Sequence, residues 1–120
     1  MRVLLADDSE IMRMIIRRAL ESLGVTGILE AADGLQAIEM FRASNGFNLV
    51  VTDWNMPGKS GIELIHEIRA LDPQVPIVMI TVEADHDRVR EAIQAGVSDY
   101  LIKPFTTDLL RSKLELFTAQ

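Results

Sequence analysis

Five short apolar runs alternate with segments whose apolar residues recur every three to four positions, and this alternation leaves few folds open. The runs are Val3–Ala6, Ile28–Ala31, Leu49–Thr52, Pro76–Thr81 and Tyr100–Ile102. The first, third and fourth are almost unbroken in apolar character, as expected of central strands buried on both faces. The second and fifth are shorter or more mixed and suit the edges of a sheet. Strands that alternate with helices imply an α/β fold with a parallel sheet, and right-handed crossovers then place helices on both faces.

The helical segments carry recognisable stripes. Ile11, Ile15 and Ala19 share one face of the first, with Met12, Leu20 and Leu23 beside them and Gly24 where the helix closes. Ala37, Ile38 and Phe41 mark the second. Gly61, Leu64, Ile65 and Ile68 mark the third, which Asp72-Pro73 ends. Val89, Ala92 and Ile93 mark the fourth, with Gly96 after it. Leu110, Leu114 and Phe117 mark the fifth, with Thr107 as its expected N-cap. The 120 residues contain no repeat, linker or low-complexity stretch, so one domain over 1–120 with a single core is expected.

Composition removes several function classes. Asp plus Glu is 18 against 12 Lys plus Arg, a net charge of −6 that disfavours direct nucleic-acid binding and anionic membranes. There is no cysteine, which excludes disulfides, thiolate zinc sites and cysteine nucleophiles. No apolar run matches a signal peptide or a spanning helix, and a cytoplasmic location is the expectation.

In an open parallel sheet, ligands gather at the carboxyl ends of the strands. The first run ends in Asp7 and Asp8, the third in Asp53, the fourth in Thr81, and the fifth leads into Lys103. Three carboxylates, a hydroxyl and an ammonium are therefore expected on one rim. Carboxylates so placed either shift their protonation or share a cation. With oxygen ligands only, Mg²⁺ is favoured over Zn²⁺. Taken singly, each residue has a plainer explanation: Asp8 as a cap of the first helix, Lys103 as surface charge, Thr81 as strand filler. Their joint placement at strand ends outweighs these. The turn Trp54-Asn55-Met56-Pro57-Gly58 holds Asp53 at its strand end and brings the Asn55 backbone near it. Lys103 precedes Pro104, which restricts its backbone and can aim the ammonium over the rim.

These residues resemble a known set. Asp7-Asp8, Asp53 in Asp-Trp-Asn-Met-Pro-Gly, Thr81 and Lys103-Pro104 are similar to the motifs of receiver domains of two-component response regulators. Trp54, Asn55, Glu83 and Tyr100 look most like the single-domain chemotaxis regulators. The resemblance implies a flavodoxin-like, doubly wound five-stranded sheet of order 2-1-3-4-5 with five helices. It implies that Asp53 accepts a phosphoryl group from a histidine kinase. It also implies that Asp8, Asp53 and the Asn55 backbone carbonyl bind Mg²⁺ directly, with Asp7 acting through water. Thr81 would be the switch hydroxyl and Lys103 the phosphate partner. The Lys103–Pro104 bond is expected to be cis. Tyr100 is expected to move inward on phosphorylation, and the fourth helix, fifth strand and fifth helix to carry the partner face through Ala84, Arg88, Tyr100 and Lys113.

The partners implied are a kinase, a phosphatase and a downstream protein such as a flagellar motor switch, bound by a monomer. On this reading the chain is a signalling module with Mg²⁺-dependent self-phosphorylation and self-dephosphorylation, and not an enzyme proper. A receiver cut from a regulator with a DNA-binding output domain is the alternative. Val82 departs from the smaller residue usual after the switch hydroxyl, which bears on phosphate lifetime. Two enzyme classes fit less well. A flavin carrier needs a phosphate loop where Asp7-Asp8 stands, and an aspartyl phosphatase wants an acid where Asn55 stands. His66 and His86 read as surface residues, and Arg2, Arg13, Arg17 and Arg18 as a solvated basic face.

Overall fold

The computed structural model describes residues 1–44 and 46–119. Strands and helices alternate along the chain. They run β1 (Arg2–Ala6), α1 (Glu10–Ser22), β2 (Gly27–Ala31), α2 (Gly34–Ala43), β3 (Leu49–Thr52), α3 (Gly61–Leu71), β4 (Ile77–Thr81), α4 (His86–Ala95), β5 (Asp99–Ile102) and α5 (Thr107–Thr118). All neighbouring strands are parallel and the order is β2-β1-β3-β4-β5. The near-continuous apolar runs occupy the centre and the mixed ones the two edges, because only central strands are covered on both faces.

Alternation along each strand divides the core in two. Leu4, Val50 and Met79 face one side, where Ala37, Ile38 and Phe41 of α2, Leu64, Ile65 and Ile68 of α3, and Ala92 of α4 cover them. Val3, Leu5, Val51, Val78 and Ile80 face the other, under Ile16, Ala19 and Leu20 of α1 and Leu110 and Leu114 of α5.

Several helix faces and caps differ from expectation. In α1 the buried stripe is Ile16, Ala19 and Leu20, whereas Ile11 is 68% and Ile15 36% exposed. Two stripes one residue apart both satisfy helical spacing, and the sheet selects the second. In α4, Ala92 and Ala95 are buried while Ile93 is exposed. The N-cap of α1 is Ser9 and not Asp8, since the Ser9 hydroxyl accepts from the Met12 amide at 3.1 Å. The N-cap of α5 is Thr106, whose hydroxyl accepts from the Leu109 amide, so Thr107 is the first helical residue. Arg13 and Arg17 do not form a solvated face, because both pair with Glu30 of β2. Arg2 lies over the Phe47 ring, 5.1 Å from its centroid.

Candidate functional site

Four strand ends and the loops after them build one rim. Ladder bonds carry the pairing past the strands: the Asp7 amide donates to the Ala31 carbonyl at 3.1 Å and the Asp53 amide to the Ala6 carbonyl at 3.0 Å. This extends backbone order into the acidic residues themselves. Asp53 is then locked from its far side. The Gly61 amide, opening α3, donates to the Trp54 carbonyl at 2.7 Å. A Cβ at Gly61 would meet the Asp53 carbonyl oxygen at 2.0 Å, so only glycine allows α3 to start against the Asp53 loop. A reciprocal cap between Ser60 and Glu63 secures that start. The Ser60 amide bond holds the exposed Glu63 carboxyl below its ordinary range.

Lys103 bridges two of the carboxylates. Its ammonium donates to Asp7 Oδ2 at 3.2 Å and to Asp53 Oδ2 at 3.1 Å. The Lys103–Pro104 peptide is cis, and the Lys103 amide donates to the Thr81 carbonyl at 2.8 Å. Asp7 Oδ1 accepts from the Ser9 amide at 2.9 Å and Asp53 Oδ1 from the Trp54 amide at 2.6 Å. Asp7 and Asp53 are buried, whereas Asp8 is exposed. Carboxylate oxygens of all three lie within 4.8 Å of one another. Three carboxylates against one ammonium leave an excess of negative charge in a hard, oxygen-only donor set, which fits Mg²⁺ and suits Zn²⁺ poorly.

Burial pushes the Asp7 carboxyl above its ordinary range; the Ser9 amide and Lys103 pull it down, and the Asp53 charge pushes it up. A carboxyl whose pKa is raised by folding binds more protons in the native state. Stability of the metal-free protein therefore falls as pH rises from 3.8 through the raised value. Asp7→Asn removes this penalty while its side-chain oxygen can still accept from Ser9. Its urea midpoint in metal-free buffer is expected to exceed that of the wild type at neutral pH, with the advantage shrinking in acid. A lower midpoint at neutral pH would show that the Lys103 ion pair outweighs burial.

The remaining candidates lie around this centre. Thr81 is fully buried, and its hydroxyl accepts from the Glu83 amide at 3.3 Å and makes no bond to Asp53. Asn55 is exposed, with its side-chain amide donating to Glu83 Oε1 at 3.3 Å. The half-buried Tyr100 donates its hydroxyl to the Glu83 carbonyl. Burial, then the charges of Glu83, Asp85 and Asp53, push the Tyr100 hydroxyl up to about 12, so it stays a donor. Ala84 and Arg88 are exposed, and the Arg88 guanidinium lies 5.3 Å from the Trp54 ring centroid. Lys113 is not a free surface charge, because Asp99 holds its ammonium at 2.9 Å. His66 and His86 are exposed, as the sequence indicates. Val82 is 61% exposed at the mouth of the β4–α4 loop.

Sequence reasoning overlooks Glu83 as the residue that joins Thr81, Asn55 and Tyr100 through three different groups. Its place two residues after Thr81 and its likeness to the chemotaxis regulators single it out in the sequence, but neither announces these three bonds. Among the described residues no helix is long and apolar enough to cross a membrane.

The profile of the response regulator receiver domain matches residues 3–115. The chain is 45% identical over 117 residues to the chemotaxis protein CheY of Pseudomonas aeruginosa, covering 96% of this chain and 94% of the relative. It is equally similar to CheY-3 of Vibrio cholerae, with 89% of that protein covered. Among solved structures, the chemotaxis regulator CheY4 of Vibrio cholerae superposes with a TM-score of 0.87 at 29% identity, covering 97% of both chains. The receiver domain of a sensor histidine kinase of Pseudomonas aeruginosa superposes at 0.85 with 30% identity, covering 99% of this chain and 98% of that one. That structure holds a magnesium ion in its active-site cleft.

Proposed function

The chain belongs to the receiver-domain family of response regulators, and from that membership we propose that it is a CheY-like chemotaxis switch set by phosphorylation of Asp53. The observation that supports this most is the Asp53 carboxylate itself. It is fixed at the end of β3, shares Lys103 with Asp7, and is within reach of Asp8. The chemotaxis relatives are matched over 94% and 89% of their own lengths, which favours this reading over a regulator with a DNA-binding output domain.

In the proposed reaction, an Asp53 oxygen attacks the phosphorus of a phosphohistidine or a small acyl phosphate. The new O–P bond forms as the P–N or P–O bond of the donor breaks, and the electron pair leaves with the donor. Asp53 needs no general base, since it attacks as a carboxylate. The Lys103 ammonium, already between Asp7 and Asp53, stabilises negative charge on the transferring oxygens. Asp8, Asp53 and the Asn55 backbone carbonyl would hold Mg²⁺, with Asp7 acting through water, and the ion when bound supplies further charge neutralisation there. A histidine kinase is the donor in this reading. The partner face is built from α4, β5 and α5, with Ala84 and Arg88 at its exposed edge and Tyr100 and Lys113 partly buried beside them. A downstream protein such as a motor component reads that face.

Intact mass after incubation with a small phosphodonor and Mg²⁺ tests the class. One added phosphoryl group, lost in base and absent in Asp53→Asn, is the expected result. A gain that persists in Asp53→Asn would move the acceptor elsewhere, and no gain at all would remove the switch.

The coupling residue is testable separately. Phosphorylation adds about 1.5 to 2 negative charges and three strong acceptors beside Thr81. The Thr81 hydroxyl, which now only accepts from Glu83, has its proton free to donate to one of them. Such a shift acts on the strand next to Tyr100 and on the Glu83 carbonyl that Tyr100 engages. Thr81→Ala is expected to be phosphorylated fully but to lose most of the gain in partner affinity. An undiminished gain would take the coupling away from Thr81.

A further inference from the structure

Arg13 stands outside the acidic set yet touches its backbone. Its side chain is 16% exposed and reaches from α1 to β2 and to the loop after β1. Nη1 donates to the Asp7 carbonyl at 2.6 Å, and Nε donates to Glu30 Oε1 on β2 at 3.0 Å. Glu30 also accepts from Arg17, through Oε2 at 2.6 Å, and Arg17 reaches the Ile28 carbonyl at 3.3 Å. Both arginines thus fasten α1 to β2. Only Arg13 continues to the rim.

The Asp7 carbonyl belongs to the peptide that leads into Asp8, beyond the last residue of β1. The Asp7 side chain is already held at both oxygens, by Ser9 and Lys103. The Asp8 side chain is exposed and makes no hydrogen bond or ion pair among the described residues, so its direction follows from the peptide that precedes it. We propose that Arg13, oriented by Glu30, is a positioning residue for the cation site, fixing the Asp7–Asp8 peptide so that the two carboxylates converge with Asp53. The inference rests on the Mg²⁺-binding reading of those carboxylates.

Electrostatics and positioning predict opposite signs. Arg13 carries a positive charge close to the site, so through-space repulsion alone makes Arg13→Gln bind Mg²⁺ more tightly. Loss of positioning makes it bind more weakly. Arg17→Gln is the control, because it removes the same charge and an equivalent tie to Glu30 without touching Asp7.

Calorimetric Mg²⁺ titration of wild type and both variants reads the difference, with urea unfolding in metal-free buffer confirming that each is folded. Arg13→Gln is expected to weaken Mg²⁺ binding about tenfold, and Arg17→Gln to change it by less than about twofold. A readout without metal accompanies this: amide exchange at Asp8 and Ser9 is expected to quicken in Arg13→Gln and to stay unchanged in Arg17→Gln. Unchanged or tighter Mg²⁺ binding by Arg13→Gln, or equal weakening in both variants, overturns the proposal. A wild-type protein that binds no Mg²⁺ removes the site reading itself and the inference with it, and is seen before any substitution is made.

Discussion

Lys103→Met is expected to destabilise the metal-free protein and to slow phosphoryl uptake, two effects that Mg²⁺ separates. Among the described residues the ammonium is the one cation between Asp7 and Asp53, and its side chain is 13% exposed against 1% and 10% for the two carboxylates. Removing one partner of a fully buried pair costs about 3–5 kcal/mol; the rim is open on the Asp8 side, so about 2 kcal/mol is expected here. Protonation of Asp7 relieves the repulsion, so the loss should shrink in acid. Phosphoryl uptake is expected to fall about a hundredfold, the cost of losing one donor to a developing anion. Added Mg²⁺ replaces the missing charge among the carboxylates and should recover much of the stability, but not the rate. A variant with wild-type uptake would place Lys103 outside the reaction.

Gly61→Ala tests the scaffold behind Asp53. The added Cβ would meet the Asp53 carbonyl oxygen at 2.0 Å and the Trp54 Cα at 2.9 Å. Both are backbone atoms in a tight loop, so neither can step aside as a side-chain tip would. Alanine gains about 1 kcal/mol of helix propensity, yet forced overpacking exceeds that, and a net loss of about 2–3 kcal/mol is expected. Urea unfolding reads the loss. Because α3 would have to withdraw from the Asp53 loop, phosphoryl uptake should fall as well. Wild-type stability would mean that α3 can shift without strain.

The sheet and the acidic rim are legible in the sequence for the same reason. Strand ends are marked where apolar runs stop, and Asp7, Asp53 and Thr81 stand at those stops or one residue past them. The Lys103-Pro104 pair is visible as a local restriction, but where it sends the ammonium is not, and the structure puts it between Asp7 and Asp53. Helix faces are less legible. Ile11 and Ile15 keep helical spacing as well as Met12 and Ile16 do, and the choice depends on where β1 and β3 lie beneath α1. The fourth helix misleads in the opposite direction, since its buried residues are alanines and its large apolar residue, Ile93, faces out. Ties between distant elements leave no local trace at all. Arg13 and Glu30 are 17 residues apart, and only the pairing of β1 with β2 makes them neighbours.

Parallel strands also divide the molecule by task. Each begins at the rim opposite the acidic residues, and a five-residue strand puts about 16 Å between the two. Thr26 lies at that opposite rim, exposed and directly before β2. The chain contains no cysteine. Thr26→Cys therefore creates a single thiol through which the protein can be tethered to a sensor surface or a dye. Every tethered copy would then present its acidic end to solution, and binding and release at that end could be followed on molecules that all point the same way.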